Sequence, residues 1–391
     1  MTTLAPPALI FFCNSIIFVS LFTRLPSIQD GLGVDKGVLG LALLGAPIGT
    51  LVALSVAGRL TERLTPRRTA PLMLAICAII TPLIAAAPLV PFFLLFILYG
   101  FFRTIMDVAT NMIATSTEKR TGTKVLSRSH GFWSIGLLFG SLLSGIAAER
   151  DLSPFLHQSI ASALVLAACL IILRITPRDQ AGAEVVAARK RSTIFVTPDR
   201  TIMLVCIMVF GICITEGAIY DWGIFFLREH AGADAATAGI IYASFTVGMG
   251  LTRLCGDWLR HRFGTMTLVR GSAMLVAIGL IGMLATLGLP MTGVAFFVIG
   301  CGIALGYPLA VATTIERGKG APADNLAALS LTLMLSTIGV PPVLGFVAEH
   351  FGLLASFAAL LPFAALSFLM APVSQGERPR MLPNWRRSAR R

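Results

Sequence analysis

Residues 91–115 read PFFLLFILYGFFRTIMDVATNMIAT. At 1.5 Å per residue this run makes a helix of roughly 37 Å, longer than the ~30 Å hydrocarbon core of a bilayer, so it is long enough to cross one. The rest of the chain agrees with that reading. Its 391 residues are 56% hydrophobic and only 13% charged, with a mean hydropathy of +0.84, a composition that excludes a water-soluble globule. Eleven further apolar runs of similar length fall near 8–25, 38–57, 70–87, 130–147, 156–174, 202–226, 236–255, 266–287, 292–313, 326–347 and 352–371. Barrel strands would show alternating segments of about ten residues, so the continuous runs predict an all-α integral membrane protein of twelve transmembrane helices.

The net charge of +12 is not a nucleic-acid footprint, because the basic residues are sorted by side. With the N-terminus cytoplasmic, the outer loops hold only Arg24, Lys36, Arg150 and Arg228 of the 31 lysines and arginines, and Arg103 lies inside a run. Nearly all the others fall in loops on the opposite side and in the tail RPRMLPNWRRSARR. By the positive-inside rule both termini are expected in the cytoplasm, in a multi-pass membrane protein. The first run lacks a basic leader and a small-residue cleavage site, so it is expected to be retained. The seven cysteines fall within apolar runs without a CxxC pair, and neither disulfides nor a metal site is expected.

The interval 176–200 is the one long polar stretch between runs and divides them six and six. The expected organisation is a first half at 1–175, a cytoplasmic linker at 176–200, a second half at 201–373 and a basic tail at 374–391. Shifted by 199 residues, the halves align Gly40 with Gly239, Gly49 with Gly248, Arg63 with Arg262 and Gly140 with Gly339. A duplicated six-helix unit would leave such a trace.

The loops that follow the second and eighth runs are GRLTERLTPRR and RLCGDWLRHRFG. The first resembles the glycine, acid, glycine, basic signature of the major facilitator superfamily, with Gly58, Glu62, Arg63, Arg67 and Arg68 in place. Thr65 stands where the second glycine is usual, which predicts a less tight turn. The second loop supplies Arg253, Gly256, Asp257, Arg262 and Gly264. The resemblance covers essentially the whole chain, and FTRLPSIQDGLGV, DVATN followed by Glu118, SRSHGFWSIG, TEGAIYDWGIFFL and PPVLGFVAE narrow it to the bacterial MosC/YbjJ-like branch. It implies a fold of two six-helix halves, a monomer, a small-molecule substrate, and loops that latch the cytoplasmic ends of the halves during alternating access.

Ionisable groups at membrane depth usually face a cavity and mark a substrate or ion path. Arg103, Asp107 and Asn111 recur at i, i+4 and so share one helix face, with Arg103 roughly 18 Å along its run, near the bilayer midplane. The pair has two readings: Arg103 and Asp107 neutralise each other and orient the helix, or Arg103 holds an anionic or hydroxyl-rich solute. Glu216, with Tyr220 one turn outward and no base in its own run, is the leading proton-coupling candidate, either without a fixed partner or paired with Arg103 across the halves. Asp107 and Asp221 are further proton-coupling candidates. Asn14, Trp133, Ser134 and Tyr307 are candidate cavity groups, and Trp222 is expected to anchor at the interface. Pro308, Pro341 and Pro342 are expected to interrupt their helices.

Three classes compete: a secondary carrier, a membrane enzyme, and a receptor on a carrier fold. No GKS/T loop, HExxH or nucleophile–base set favours the enzyme, and no cofactor is implied. Buried charges favour the carrier over an idle receptor. The fifth run, GFWSIGLLFGSLLSG, lacks the proline of drug–proton antiporters. The expectation is therefore a carrier for a small polar solute, such as a sugar, a polyol derivative or an organic acid, coupled to protons, with drug or metabolite efflux as the alternative. Membrane lipids are its expected surroundings and nucleic acid is not a partner.

Overall fold

The computed structural model describes residues 4–122, 125–176, 199–285, 287–318 and 322–375, with the side chains of residues 126, 127, 257, 322–324, 327, 336 and 337 left aside. The described residues form helices and contain no strand. In order these are α1 (Ala5–Phe22), α2 (Leu25–Leu32), α3 (Lys36–Leu43), α4 (Gly45–Leu64), α5 (Pro66–Ala86), α6 (Leu89–Thr121), α7 (Leu126–Glu149) and α8 (Pro154–Ile175). The second half supplies α9 (Arg200–Phe225), which ends in a π-helical turn over Phe226–His230, then α10 (Ala235–Phe263), α11 (Thr265–Leu284) and α12 (Leu289–Ile303). It closes with α13 (Gly306–Arg317), α14 (Pro322–Thr337), α15 (Val340–Ala358) and α16 (Leu361–Met370).

Eleven stretches are long and apolar enough to cross a membrane, and the last of them, Ala328–Ser374, has 47 residues. That is about 70 Å of helix, more than twice the bilayer core, so it must reverse. The reversal falls at Gly352, whose φ of 84° and ψ of 161° leave the helical region inside α15. Counted as two crossings, the stretch gives the twelve read from the sequence. The linker 176–200 and the tail 374–391 fall almost wholly outside the described residues.

Several crossings are made of two helices because proline removes a donor. Pro308 cannot give a proton to the carbonyl of residue 304, and the tenth crossing breaks at Ala304 and Leu305 between α12 and α13. Pro341 and Pro342 likewise follow the break at Ile338 and Gly339 between α14 and α15. Large apolar side chains are exposed along the outside, among them Leu164, Leu170, Leu254 and Leu369, where lipid rather than water suits them.

Within the first half α6 packs on α4 and α5, and α1 on α7 and α8; within the second, α12 packs on α10 and α11, and α16 on α9 and α11. Between halves, α7 lies along α10, and α3 lies on α15. Glycines set the distance there. A methyl on Gly40 would meet the backbone of Pro341 and Pro342, and one on Gly239 would meet Ser141 and Gly145. Lys36 pairs with Glu229 at 2.8 Å, and its backbone N–H donates to Glu349 at 3.0 Å. The α3–α15 contact, the approach of Gly239 to Gly145 and the Lys36 pair lie at the end with few basic loops, while α7 and α10 stay together further along, where a methyl on Gly250 would meet Ser134 and one on Gly131 would meet Leu254. Toward the basic end α4 packs chiefly on α5 and α6 of its own half, and Val52 and Leu54 are exposed. The halves are thus joined by α3 and α15 at the sparsely charged end, and by α7 and α10 from there toward the basic one.

Candidate functional site

The helices α1, α6, α7, α9 and α10 bring the singled-out residues to a common region between the halves. From α6, the Arg103 guanidinium lies 5.1 Å from the ring centre of Phe18 on α1 and 5.2 Å from that of Trp133 on α7. Phe18 packs on Trp133 at 5.6 Å and meets Tyr220 of α9 edge-on at 5.5 Å, so the aromatic cluster spans the two halves. Asp107, one turn along α6, feels the Arg103 charge without forming a contact ion pair with it. Among the described residues no carboxylate is in ion-pair contact with Arg103, and its Nε is buried without a hydrogen-bond acceptor.

Magnitudes show why that arrangement matters. Inserting an arginine at the centre of a membrane helix costs about 2.5–3.5 kcal/mol on insertion scales, and each cation–π contact returns about 0.5–2 kcal/mol. Two rings therefore offset much of the cost while leaving the N–H donors uncommitted. Arg103 and Asp107 act on each other through their charges across one helical turn, without a contact ion pair.

On the other side Tyr220 donates to Glu216 Oε1 at 3.2 Å, and Glu216 pairs with Arg253 of α10 at 3.3 Å. Both charged side chains keep about a quarter of their surface accessible, 26% for Arg253 and 24% for Glu216. Arg253 also donates from Nε to the Ala304 carbonyl at 3.3 Å, the carbonyl that Pro308 leaves without its helical partner. The break in the tenth crossing thus supplies an acceptor that fixes Arg253, and Arg253 fixes Glu216. Two expectations are corrected: Glu216 has a partner, and that partner is Arg253 rather than Arg103. Arg253 itself had been assigned to the cytoplasmic loop. It stands ten residues before the end of α10, about 15 Å inside the helix, and that register was available in the sequence.

The remaining candidates divide. Asn14 is fully buried on α1 one turn from Phe18, and neither of its amide atoms has a partner. Asn111 Oδ1 and Ser134 Oγ are likewise buried without partners. Ser134 lies where α7 and α10 cross, since a methyl on Gly250 would come 3.3 Å from its Cβ. Tyr307 is half exposed and shares a hydrogen bond with Ser330 at 3.1 Å, tying α13 to α14. Asp221 is half-buried and joins no ion pair among the described residues. Trp222 is not an interfacial anchor: it is fully buried against Phe225 and the backbone of Gly345. Phe18 and Met249, which accepts a weak contact from Tyr220 at 3.8 Å, escaped sequence reasoning because apolar side chains carry no signal inside an apolar run.

Among the described residues, no ion pair or hydrogen bond of the loop residues at the basic end bridges the halves. Arg67 donates to the carbonyls of Thr176 at 2.7 Å and Leu173 at 2.8 Å, capping the C-terminus of α8. Glu62, Arg63 and Arg68 are exposed, Gly58 has open space around it, and Arg262 leans over Phe263. Gly256 packs against Leu305, while the Asp257 side chain lies outside the described ones. The expected looser turn at Thr65 is corrected. Thr65 has φ 68° and ψ 142°, nearly those of Gly264 at φ 76° and ψ 161°, so the glycine-type turn is kept with a β-branched residue in it.

Twelve crossings in two six-helix halves, with polar groups converging between them, define a membrane carrier fold. The profile of the Major Facilitator Superfamily matches residues 8–323, and the chain belongs to that family of transporters. Among relatives, it is 26% identical to the "Uncharacterized transporter y4wD" of Sinorhizobium fredii, over 93% of this chain and 96% of that one. It is 24% identical to the "Membrane protein MosC" of Rhizobium meliloti, over 95% and 89%. Among solved structures, the nucleoside transporter NupG superposes with a TM-score of 0.69 at 17% identity over 96% of this chain and 98% of that one. A D-xylose–proton symporter gives 0.73 at 14% over 95% and 96%. These likenesses establish the fold.

Proposed function

We propose that the protein carries a small polar solute, a sugar, a polyol derivative or an organic acid, across a bacterial inner membrane by alternating access coupled to protons. The observation that carries the reading is Arg103, held over two aromatic faces with its donors uncommitted. Aromatic faces pack against the C–H face of a sugar ring, and a guanidinium with Asn14 and Asn111 nearby offers hydrogen bonds to hydroxyl or carboxylate oxygens. The relatives are similar to this chain over nearly their whole length, and one structural neighbour is a xylose–proton symporter, which agrees with that class.

Glu216 is the proposed proton carrier. Its carboxylate holds Tyr220 from one side and Arg253 from the other, so protonation would weaken both contacts and free α9 to move against α10. Asp107 and Asp221 are secondary candidates. With the basic loops in the cytoplasm, the α3–α15 contact closes the outer side, and the two signature loops would latch when the cytoplasmic side closes.

The test uses proteoliposomes with a pH-sensitive dye inside and a panel of monosaccharides, polyols, nucleosides and small monocarboxylates outside. One class is expected to drive proton movement in the wild type. Glu216→Gln is expected to keep solute exchange and lose the proton signal. Coupling that survives this substitution rules Glu216 out, and the absence of solute-driven proton movement for every class refutes the symport reading.

A further inference from the structure

A second polar site lies far from the central region, at the sparsely charged end. Arg24, between α1 and α2, is 5% exposed, and it donates from Nη2 to the Leu152 carbonyl. Its Nε and Nη1 are buried without any acceptor. An arginine stripped of water on two of its three nitrogens is costly unless something negative takes their place.

The charge that acts on it is of the same sign. Arg228, from the π-helical turn after α9 in the other half, shares a small cavity with Arg24, and the cavity is also lined by Thr23, Ser144, Ala235 and Gly239. Burial first, and the Arg228 charge behind it, push the Arg24 guanidinium below its ordinary range. Of the carboxylates in the flanking segments, Glu229 pairs with Lys36 and Asp234 accepts from the Thr237 backbone and hydroxyl at 2.8 and 2.9 Å, while Asp30, Glu149 and Asp151 neither line the cavity nor pair with either arginine. Among the described residues neither Arg24 nor Arg228 is in an ion pair. The hydroxyls of Thr23 and Ser144 are bonded to each other at 2.6 Å and close the floor.

The volume sets the ligand. About 20 Å³ is room for one particle of roughly the size of a water molecule. Two arginines on one cavity, one per half, with no carboxylate among the residues that line it, select a small anion.

We infer that Arg24 and Arg228 form a binding site for a chloride-sized monovalent anion, which bridges the two halves at their closed end. Because the lining comes from both halves, the site exists only while this end is shut. The anion therefore favours that state by its differential affinity, independently of which solute the central site takes.

The experiment replaces chloride by gluconate at constant ionic strength on the full chain in nanodiscs and follows the thermal unfolding midpoint. Chloride is expected to raise the midpoint in the wild type, with an apparent affinity at least tenfold weaker in Arg228→Gln. Arg228 is exposed and in no ion pair among the described residues, so this variant is expected to fold. Arg24→Gln is expected to abolish the response. Crystals grown in bromide should show anomalous density between the two guanidinium groups. An unchanged chloride response in Arg228→Gln, a sulfate or phosphate response equal to that of chloride, or bromide crystals without density there overturns the inference.

Discussion

The two halves use the same scaffold and carry different chemistry. A methyl on Gly49 of α4 would collide with the Ile97 carbonyl and the Phe101 backbone of α6; one on Gly248 of α10 would collide with the Phe297 carbonyl and meet Cys301 of α12. Gly100 presses on Ala46 as Gly300 presses on Phe245. Thr65 and Gly264 make the same turn. The polar groups follow no such rule. Following the spacing of these contacts, Ile303 stands where Arg103 would recur, Leu54 where Arg253 would, and Ile17 where Glu216 would. Helix approach needs small residues at fixed intervals, so it survives duplication in both copies. A solute placed between the halves meets each copy from a different side, so each is free to supply different groups.

The largest expected effect tests the shared scaffold. Gly49→Leu and Gly248→Leu each drive a branched side chain into a neighbouring backbone, and both are expected to abolish recovery of monodisperse protein in size-exclusion chromatography. If either variant is recovered at wild-type yield, the equivalence of the two glycines is broken.

Next comes the asymmetry. Arg103→Ala removes charge-assisted hydrogen bonds worth about 1.5–3 kcal/mol, so the transported solute should bind roughly 10- to 100-fold more weakly in calorimetry while the protein still assembles. Adding Ile303→Arg should not restore binding. Rescue by that second substitution would mean that the halves are functionally interchangeable.

A smaller effect is expected at the turn. Thr65 holds a conformation that costs a β-branched residue about 1–3 kcal/mol, so Thr65→Gly should stabilise the fold and raise the unfolding midpoint, the gain in free energy being smaller than that cost because glycine gains entropy in the unfolded chain. Gly264→Thr should lower it. Equal midpoints in all three proteins would remove the strain argument.

The smallest effect concerns the closed end. Lys36 and Glu229 are 18% and 41% exposed, and such pairs contribute about 0–1 kcal/mol, so Glu229→Ala should shift the balance of open and closed forms only a few-fold. Distances between spin labels on α3 and α15 would measure it, and a complete opening would show that this contact dominates the interface.

How much was legible follows from range. Crossing number depends on local composition, and the loop charges stand clear of the apolar runs, so both could be read residue by residue. The stripe of Arg103, Asp107 and Asn111 was legible because helical periodicity is local. The partner of Glu216 was not, because Arg253 lies 37 residues away on another helix and its depth depends on where α10 ends. Trp222 misled for a related reason: tryptophan prefers interfaces, but the close approach allowed by Gly345 buries this one.

The sequence by itself determined a helical membrane protein, its crossings, its charge asymmetry and the faces on which its buried charges stand, because hydropathy and the 3.6-residue period act over a few turns. Only the tertiary structure decided which charges meet, that Arg103 faces aromatic rings, that Pro308 gives Arg253 its acceptor, and which end of the molecule is shut. Those outcomes depend on how helices far apart in the chain approach one another, and packing at that distance leaves no periodic mark in the sequence.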